Sequence, residues 1–61
     1  MQFLGYTEES GQIAAQFLSE SSDRVYFDKE TLEIRLIVHI LLDLPHKEER
    51  KALDNWPDMA K

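Results

Sequence analysis

The fold of this chain depends on residues 32–44, which read LEIRLIVHILLDL. Nine of these thirteen positions carry large aliphatic side chains, a density that no other stretch of the 61-residue sequence reaches. Burial of apolar surface is the dominant favourable term in folding, so the core is expected to form around this segment. Whether the segment is a helix or a strand therefore decides the fold class.

Two periodicities fit the segment. In a helix its polar side chains recur every four residues and lie on one narrow arc, opposite an apolar stripe. If the segment is a strand, its even-numbered residues from 32 to 44 lie on one face, and all of them are apolar. Thirteen residues are typical of a helix and long for a strand, and Asp28 and Pro45 suit the two ends of a helix, which we expect over residues 29–43. The polar arc holds Arg35, His39 and Asp43, and the stripe holds Ile34, Ile37, Val38 and Leu41.

Two more helices are expected, one on each side of the central helix. Apolar residues follow Glu8 and Glu9 at helical spacing, and this pattern predicts a helix over about residues 8–20. Pro45 suits the first position of a helix over residues 45–55, because the missing N–H has no partner there in any case. The predicted fold is all-α: a single small domain over residues 1–61, with three helices and a buried central helix.

One alternative fold remains open at this point. Val25-Tyr26-Phe27 and the β-branched residues of the central segment also suit strands. The alternative is an α+β domain with a β-hairpin at about residues 24–40, flanked by two helices.

The narrow polar stripe of the central segment bears on function. A helix with so little polar surface has to be covered on most sides, and a domain of this size buries only about 60% of the surface of its unfolded chain. The chain has no cysteine to cross-link its core. We expect another protein or a second copy to complete the cover, so the predicted function is a protein–protein interaction module: a small homodimeric adaptor, regulator or inhibitor. The predicted partner-binding residues are Phe3, Tyr6, Ile34, Val38, Leu41, Leu42 and Trp56.

The sequence carries no pattern typical of catalysis. No G-x-S-x-G or phosphate-binding glycine loop is present, and the only glycines are Gly5 and Gly11. On one helix His39, Asp43 and His46 would share a face as metal ligands, but Pro45 interrupts that helix. We predict a protein with no enzymatic activity, no catalytic residue, no cofactor, no metal site and no small-molecule substrate.

Charge limits the other partners. Twelve acidic and seven basic residues give a formal charge of −5, and the excess of acids lies in residues 1–33. This field disfavours nucleic acid and anionic lipid. The central apolar segment is too short and too often interrupted by polar residues to cross a membrane, and the N-terminus lacks a secretory pattern, so we expect a cytoplasmic protein. The alternative function is a small nucleic-acid-binding regulator that uses the last helix, residues 45–56.

Overall fold

A computed structural model describes residues 1–57, so residues 58–61 of the expected domain lie outside the described part. Within residues 1–57 the chain is α+β, with three strands followed by two helices. The strands form one antiparallel sheet in the order β1-β2-β3, and both helices contact it. The elements are β1 (Gln2–Glu9), β2 (Gln12–Leu18), β3 (Arg24–Phe27), α1 (Lys29–Leu41) and α2 (Lys47–Asp54).

The all-α prediction is wrong because residues 8–20 form most of a β-hairpin and not a helix. The chain reverses at Ser10 and Gly11, whose φ angles are 55° and 81°. Glu9 pairs with Gln12 across this two-residue loop. Positive φ at both central residues defines a type I′ turn, whose twist matches that of paired strands. The apolar residues taken for a helical stripe instead alternate between the two faces of β2.

The alternative prediction, a hairpin at residues 24–40, places a strand correctly only at its start. Residues 24–27 are β3, but this strand pairs with β2 behind it in the sequence, with Phe17 opposite Val25 and Ala15 opposite Phe27. The segment that was to form the second strand is helix α1. The two helices therefore follow the sheet in the chain and do not flank it.

The core lies between one face of the sheet and the helices. Two rows of side chains cross the strands: Phe3, Phe17 and Val25 in one, Tyr6, Ala15 and Phe27 in the other. Phe3 and Tyr6 are three residues apart, a spacing that a regular strand would direct to opposite faces. A bulge between Phe3 and Gly5 shifts the register and returns Tyr6 to the core side. The fully buried apolar residues are Ala15, Phe17, Leu32 and Ala52.

Helix α1 has defined caps at both ends. The Asp28 carboxylate accepts a hydrogen bond from the Thr31 N–H at 2.8 Å, the N-cap contact expected of Asp. At the other end, the Leu44 N–H donates to His39 C=O at 2.8 Å and the Asp43 N–H to Ile40 C=O at 3.1 Å. This pair of bonds is a Schellman motif, with Asp43 at φ 58° in the place usually held by glycine.

The short connection after α1 turns the chain back along the sheet. Pro45 lies in this connection and not at the first position of α2, which begins at Lys47 after the cap residue His46. Helix α2 contacts both α1 and β1. It is joined to β1 by the Tyr6 hydroxyl, which donates to Ala52 C=O, and by the Glu48 carboxylate, which accepts from the Phe3 N–H at 2.9 Å.

The predicted burial of the central helix is also wrong. Leu32 is the only fully buried residue of α1, and Leu36 is half-buried. The larger part of the apolar stripe faces outward, with Leu41 78% and Ile34 58% exposed. The sheet and α2 cover one side of α1, and within residues 1–57 nothing covers the other.

The cap at Asp28 makes a prediction about acid stability. Hydrogen bonds from the Thr31 hydroxyl and backbone N–H hold the pKa of Asp28 below its ordinary value. The ionised Asp28 side chain therefore stabilises the folded state fully above about pH 4, near the pKa of Asp in the unfolded chain. This stabilisation is lost as pH falls through the lowered pKa of the folded state. Asn also caps helices but does not titrate in this range. We expect the melting temperature of wild type, followed by circular dichroism from pH 7 to pH 2, to fall more steeply below pH 4 than that of Asp28→Asn. Identical acid profiles would contradict this assignment.

Candidate interaction surface

The exposed side of α1 carries a continuous set of large aliphatic side chains. Ile34, Ile37 and Leu41 follow one another at intervals of three and four residues, which keeps them on one side of a helix. Each is more than half exposed. The surface extends to the exposed residues around and after the helix end, and we call the whole set the α1 face: Ile34, Ile37, Val38, Ile40, Leu41, Leu42 and Leu44.

An apolar patch of this kind is unusual on a small protein. Exposed aliphatic residues are common singly, but contiguous patches of more than a few hundred Å² on soluble monomers usually mark interaction sites. The seven side chains of the α1 face come from eleven consecutive residues, so they are neighbours and not scattered positions. The α1 face is therefore the strongest candidate for a functional surface in the described residues.

Two polar residues of α1, Arg35 and His39, point away from the α1 face toward α2. Arg35 Nε lies 3.3 Å from Glu49 Oε2, and His39 Nδ1 lies 3.7 Å from the same oxygen. The Glu49 side chain is only 7% exposed, whereas that of Arg35 keeps about a third of its surface in water. A buried carboxylate needs a charged or hydrogen-bonded partner, and the partners here come from the polar stripe of α1.

Two more contacts of Arg35 and His39 fix the orientation of the polar arc of α1. The Arg35 guanidinium lies over the Phe27 ring of β3, 5.2 Å from its centroid, within the range of a cation–π contact. The His39 Nδ1 lies 3.0 Å from the Pro45 carbonyl oxygen in the connection to α2. Arg35 and His39 thus tie α1 to the sheet and to α2, and this rotation leaves the aliphatic stripe outside.

Charges of opposite sign border the two ends of the α1 face. Glu30 and Glu33 are exposed in the first two turns of α1. At the other end Leu44 lines a surface hollow together with Asp43, Lys47 and Arg50, all exposed, so two bases outnumber one acid there. The neighbouring acids of α2 do not cancel these bases at the surface, because Glu49 is buried and Glu48 binds the Phe3 N–H. The α1 face is acidic at its beginning and basic at its end.

The predicted binding residues separate into two groups in the structure. Ile34, Val38, Leu41 and Leu42 belong to the α1 face. The other three pack together under α2: the Tyr6 ring lies 5.1 Å from the Phe3 ring and 5.3 Å from the Trp56 ring. Burial raises the pKa of the Tyr6 hydroxyl. Phe3, Tyr6 and Trp56 are part of the packing between sheet and helix, so the structure does not place them beside the α1 face.

Sequence reasoning missed several members of the site. Ile37 was placed in the apolar stripe but not among the binding residues, and Ile40 and Leu44 were not singled out. Glu49 was not recognised as the buried partner of Arg35 and His39. The polar arc gave no signal for it, because the arc already contains a carboxylate, Asp43.

A surface hollow lies away from the α1 face, near the hairpin turn. It has a volume of about 620 Å³ and is open to solvent, between the hairpin and the start of α1, with Glu8, Tyr26 and Asp28 in its lining. Within residues 1–57 no three His, Cys, Asp or Glu side chains are placed to hold a metal ion together. His46, one of the three residues considered as a ligand, has its Nδ1 3.0 Å from the Leu44 carbonyl oxygen.

In the part of the chain that the structure describes, no helix has the length and apolar character needed to span a bilayer. Comparison of the chain with protein-family models, with curated proteins and with solved structures gave no match. The functional argument therefore rests on the geometry of the α1 face.

The buried carboxylate makes a prediction about stability. Glu49→Gln leaves Arg35 without its counter-charge, and loss of a charged hydrogen-bond partner costs about 1.5–3 kcal/mol. Because Arg35 is partly solvated, we expect a loss of unfolding free energy in this range and below the cost of breaking a fully buried pair. Asp54→Asn removes an exposed carboxylate from the same helix and should change stability by less than about 0.5 kcal/mol. Urea unfolding followed by Trp56 fluorescence measures both, and equal effects would contradict the role given to Glu49.

Proposed function

We propose that this chain is a non-enzymatic protein–protein interaction module whose binding surface is the α1 face. The observation that carries the proposal is the rotation of α1: Arg35 and His39 make their contacts inside the fold, and the aliphatic residues of the α1 face are left outside. Leaving large aliphatic side chains in water costs stability, roughly 1.5–3 kcal/mol for each one that could be fully buried. A partner that covers the α1 face best explains why the fold tolerates this loss of stability.

The chemistry of the surface favours a protein as that partner. An apolar helix face with i, i+3, i+4 and i+7 anchors is a recurrent element of helix-in-groove and helix-on-helix recognition. Glu30 and Glu33 beside it would be repelled by anionic lipid headgroups. The polar side chains that the fold brings together, Arg35, His39 and Glu49, satisfy one another within the packing, which supports a binding role over a catalytic one.

We place the role of the chain among small adaptors, regulators and inhibitors of the cytoplasm. The absence of cysteine from the sequence fits a reducing compartment. In all three roles the chain acts by covering a surface of another protein or by holding two proteins together, and each needs only one apolar face on a stable scaffold.

One observation favours nucleic-acid binding as a second candidate. Because Glu48 and Glu49 are turned inward, the outer side of α2 presents Lys47, Arg50 and Lys51, all exposed. Lysine and arginine on one side of a helix are typical of phosphate contacts. The formal charge of −5 opposes this function, and the α1 face would have no part in it.

Site-specific photo-crosslinking in the cells that produce the chain tests the proposal. Benzoylphenylalanine replaces Leu41 in the α1 face, Tyr26 on the opposite face of the sheet, or Lys51 on α2. The Tyr26 position is a matched control, because it is also exposed and exchanges one aromatic side chain for another. We expect a discrete protein adduct from position 41 that is absent from position 26, because only the α1 face is apolar enough to hold a partner.

Two results would count against the protein-interaction function. The first is a chain that forms no adduct at position 41, or the same adducts at positions 41 and 26. The second is an adduct confined to position 51 that nuclease shortens, which would support the nucleic-acid alternative.

A further inference from the structure

The α1 face has the properties of a surface that pairs with itself. Within α1, Ile34, Ile37 and Leu41 follow the 3-4 spacing of a helix–helix seam, and Leu44 lies just past the helix end, after the Schellman motif at Asp43. If a second α1 runs in the opposite direction, Ile34 of each copy lies near Leu44 of the other, and Ile37 near Leu41. All four residues are exposed, so the seam is available without any change in the fold.

The charges around the seam match only when the two helices are antiparallel. Each copy carries Glu30 and Glu33 with one base, Lys29, at the beginning of the seam, and Lys47 and Arg50 with one acid, Asp43, at its end, so the first end is net negative and the second net positive. An antiparallel arrangement sets the acids of each copy beside the bases of the other, at both ends of the interface. A parallel arrangement would set acids beside acids, which is unfavourable.

The small core gives a physical reason for such an association. Only four apolar residues are fully buried in the described chain, and two of them are alanines. Oligomerisation is one of the ways in which domains of this size supplement a small core. Joining two α1 faces would add a second apolar layer, built from the aliphatic side chains that the single copy leaves exposed.

We infer that the partner of the α1 face is a second copy of this chain, bound through an antiparallel, two-fold symmetric pairing of the α1 helices. This inference rests on the proposed function and names its partner. A stable interface of standard size takes about 20–30 residues from each side, whereas the α1 face with its four charged neighbours has eleven. The dimer is therefore reversible, with a dissociation constant in the micromolar range.

Sedimentation equilibrium of the purified full chain tests the association. We expect wild type to change from monomer to dimer as its concentration rises through the micromolar range. Ile37→Glu, at the centre of the seam, should weaken the dimer at least about tenfold, as found for central interface residues. Because Ile37 is exposed in the single copy, the circular dichroism spectrum of the Ile37→Glu variant should remain that of wild type.

A charge exchange tests the antiparallel geometry. One variant carries Glu30→Lys and Glu33→Lys, and the other carries Lys47→Glu and Arg50→Glu. Each variant alone puts like charges at both ends of the antiparallel dimer and should be monomeric where wild type is a dimer. In a mixture of the two, opposite charges face each other at both ends, so a heterodimer should form with an affinity close to that of wild type.

Three results would overturn the inference: a wild-type chain that stays monomeric up to millimolar concentration, an Ile37→Glu variant that dimerises as wild type does, or charge variants that fail to associate when mixed. The results also distinguish a failure of the dimer from a failure of the protein-interaction function. A monomeric chain whose position-41 photo-adduct contains a different protein retains that function and loses the second copy as partner. A chain without any adduct at position 41 loses the function itself.

Discussion

The Glu49 carboxylate sets the orientation of everything around it. It lies in the packing between α1 and α2, with Arg35 Nε at 3.3 Å and His39 Nδ1 at 3.7 Å. An ionised group withdrawn from water is tolerated only when it is paired. The pairing requires the polar arc of α1 to face α2, and because a helix has fixed angular spacing, the aliphatic residues of the opposite arc have to face solvent. The exposed surface thus follows from the ion pair together with the burial of Leu32, which turns the same side of α1 toward the core.

The rest of the fold supports this arrangement. The sheet supplies the Phe27 ring beneath the Arg35 guanidinium, and the Schellman motif at the end of α1 returns the chain so that α2 can present Glu49. The adjacent Glu48 binds the first residues of β1, which fixes the position of α2 along the sheet. The same two acids that hold the fold together leave Lys47 and Arg50 exposed. Stability inside the molecule and charge on its surface therefore have a common origin.

The sequence was informative where the signal was local. The N-cap of α1 followed from Asp28, and the extended character of Val25-Tyr26-Phe27 was visible in its β-prone residues. The break before Pro45 located the end of α1 only approximately, because the helix stops at Leu41 and not at residue 43. The hairpin was missed because Ile13, Ala14, Phe17 and Leu18 also fit a helical stripe, and because the bulge after Phe3 hides the alternation of β1. Short apolar runs often fit both periods, and only strand pairing, which joins distant residues, distinguishes them.

The site was predictable in its composition but not in its orientation. An apolar stripe on the central helix can be read directly, and it correctly gathers Ile34, Val38 and Leu41. The side of α1 that faces the core depends on Glu49, which lies ten residues beyond His39 in the sequence. The periodicity of α1 itself does not reveal this dependence. The expectation that polar residues face water is a tendency, and here one buried carboxylate reverses it.

Nuclear Overhauser spectroscopy of the isotope-labelled chain tests this orientation most directly. The contacts are within one copy, so association does not obscure them. We expect cross-peaks from the Arg35 side chain both to the Phe27 ring protons and to the Glu49 side chain, and none from the Ile34 or Ile37 methyl groups to the rings of Phe17 and Phe27. Strong cross-peaks from those isoleucine methyl groups to the core rings, with Arg35 free in solvent, would contradict this orientation.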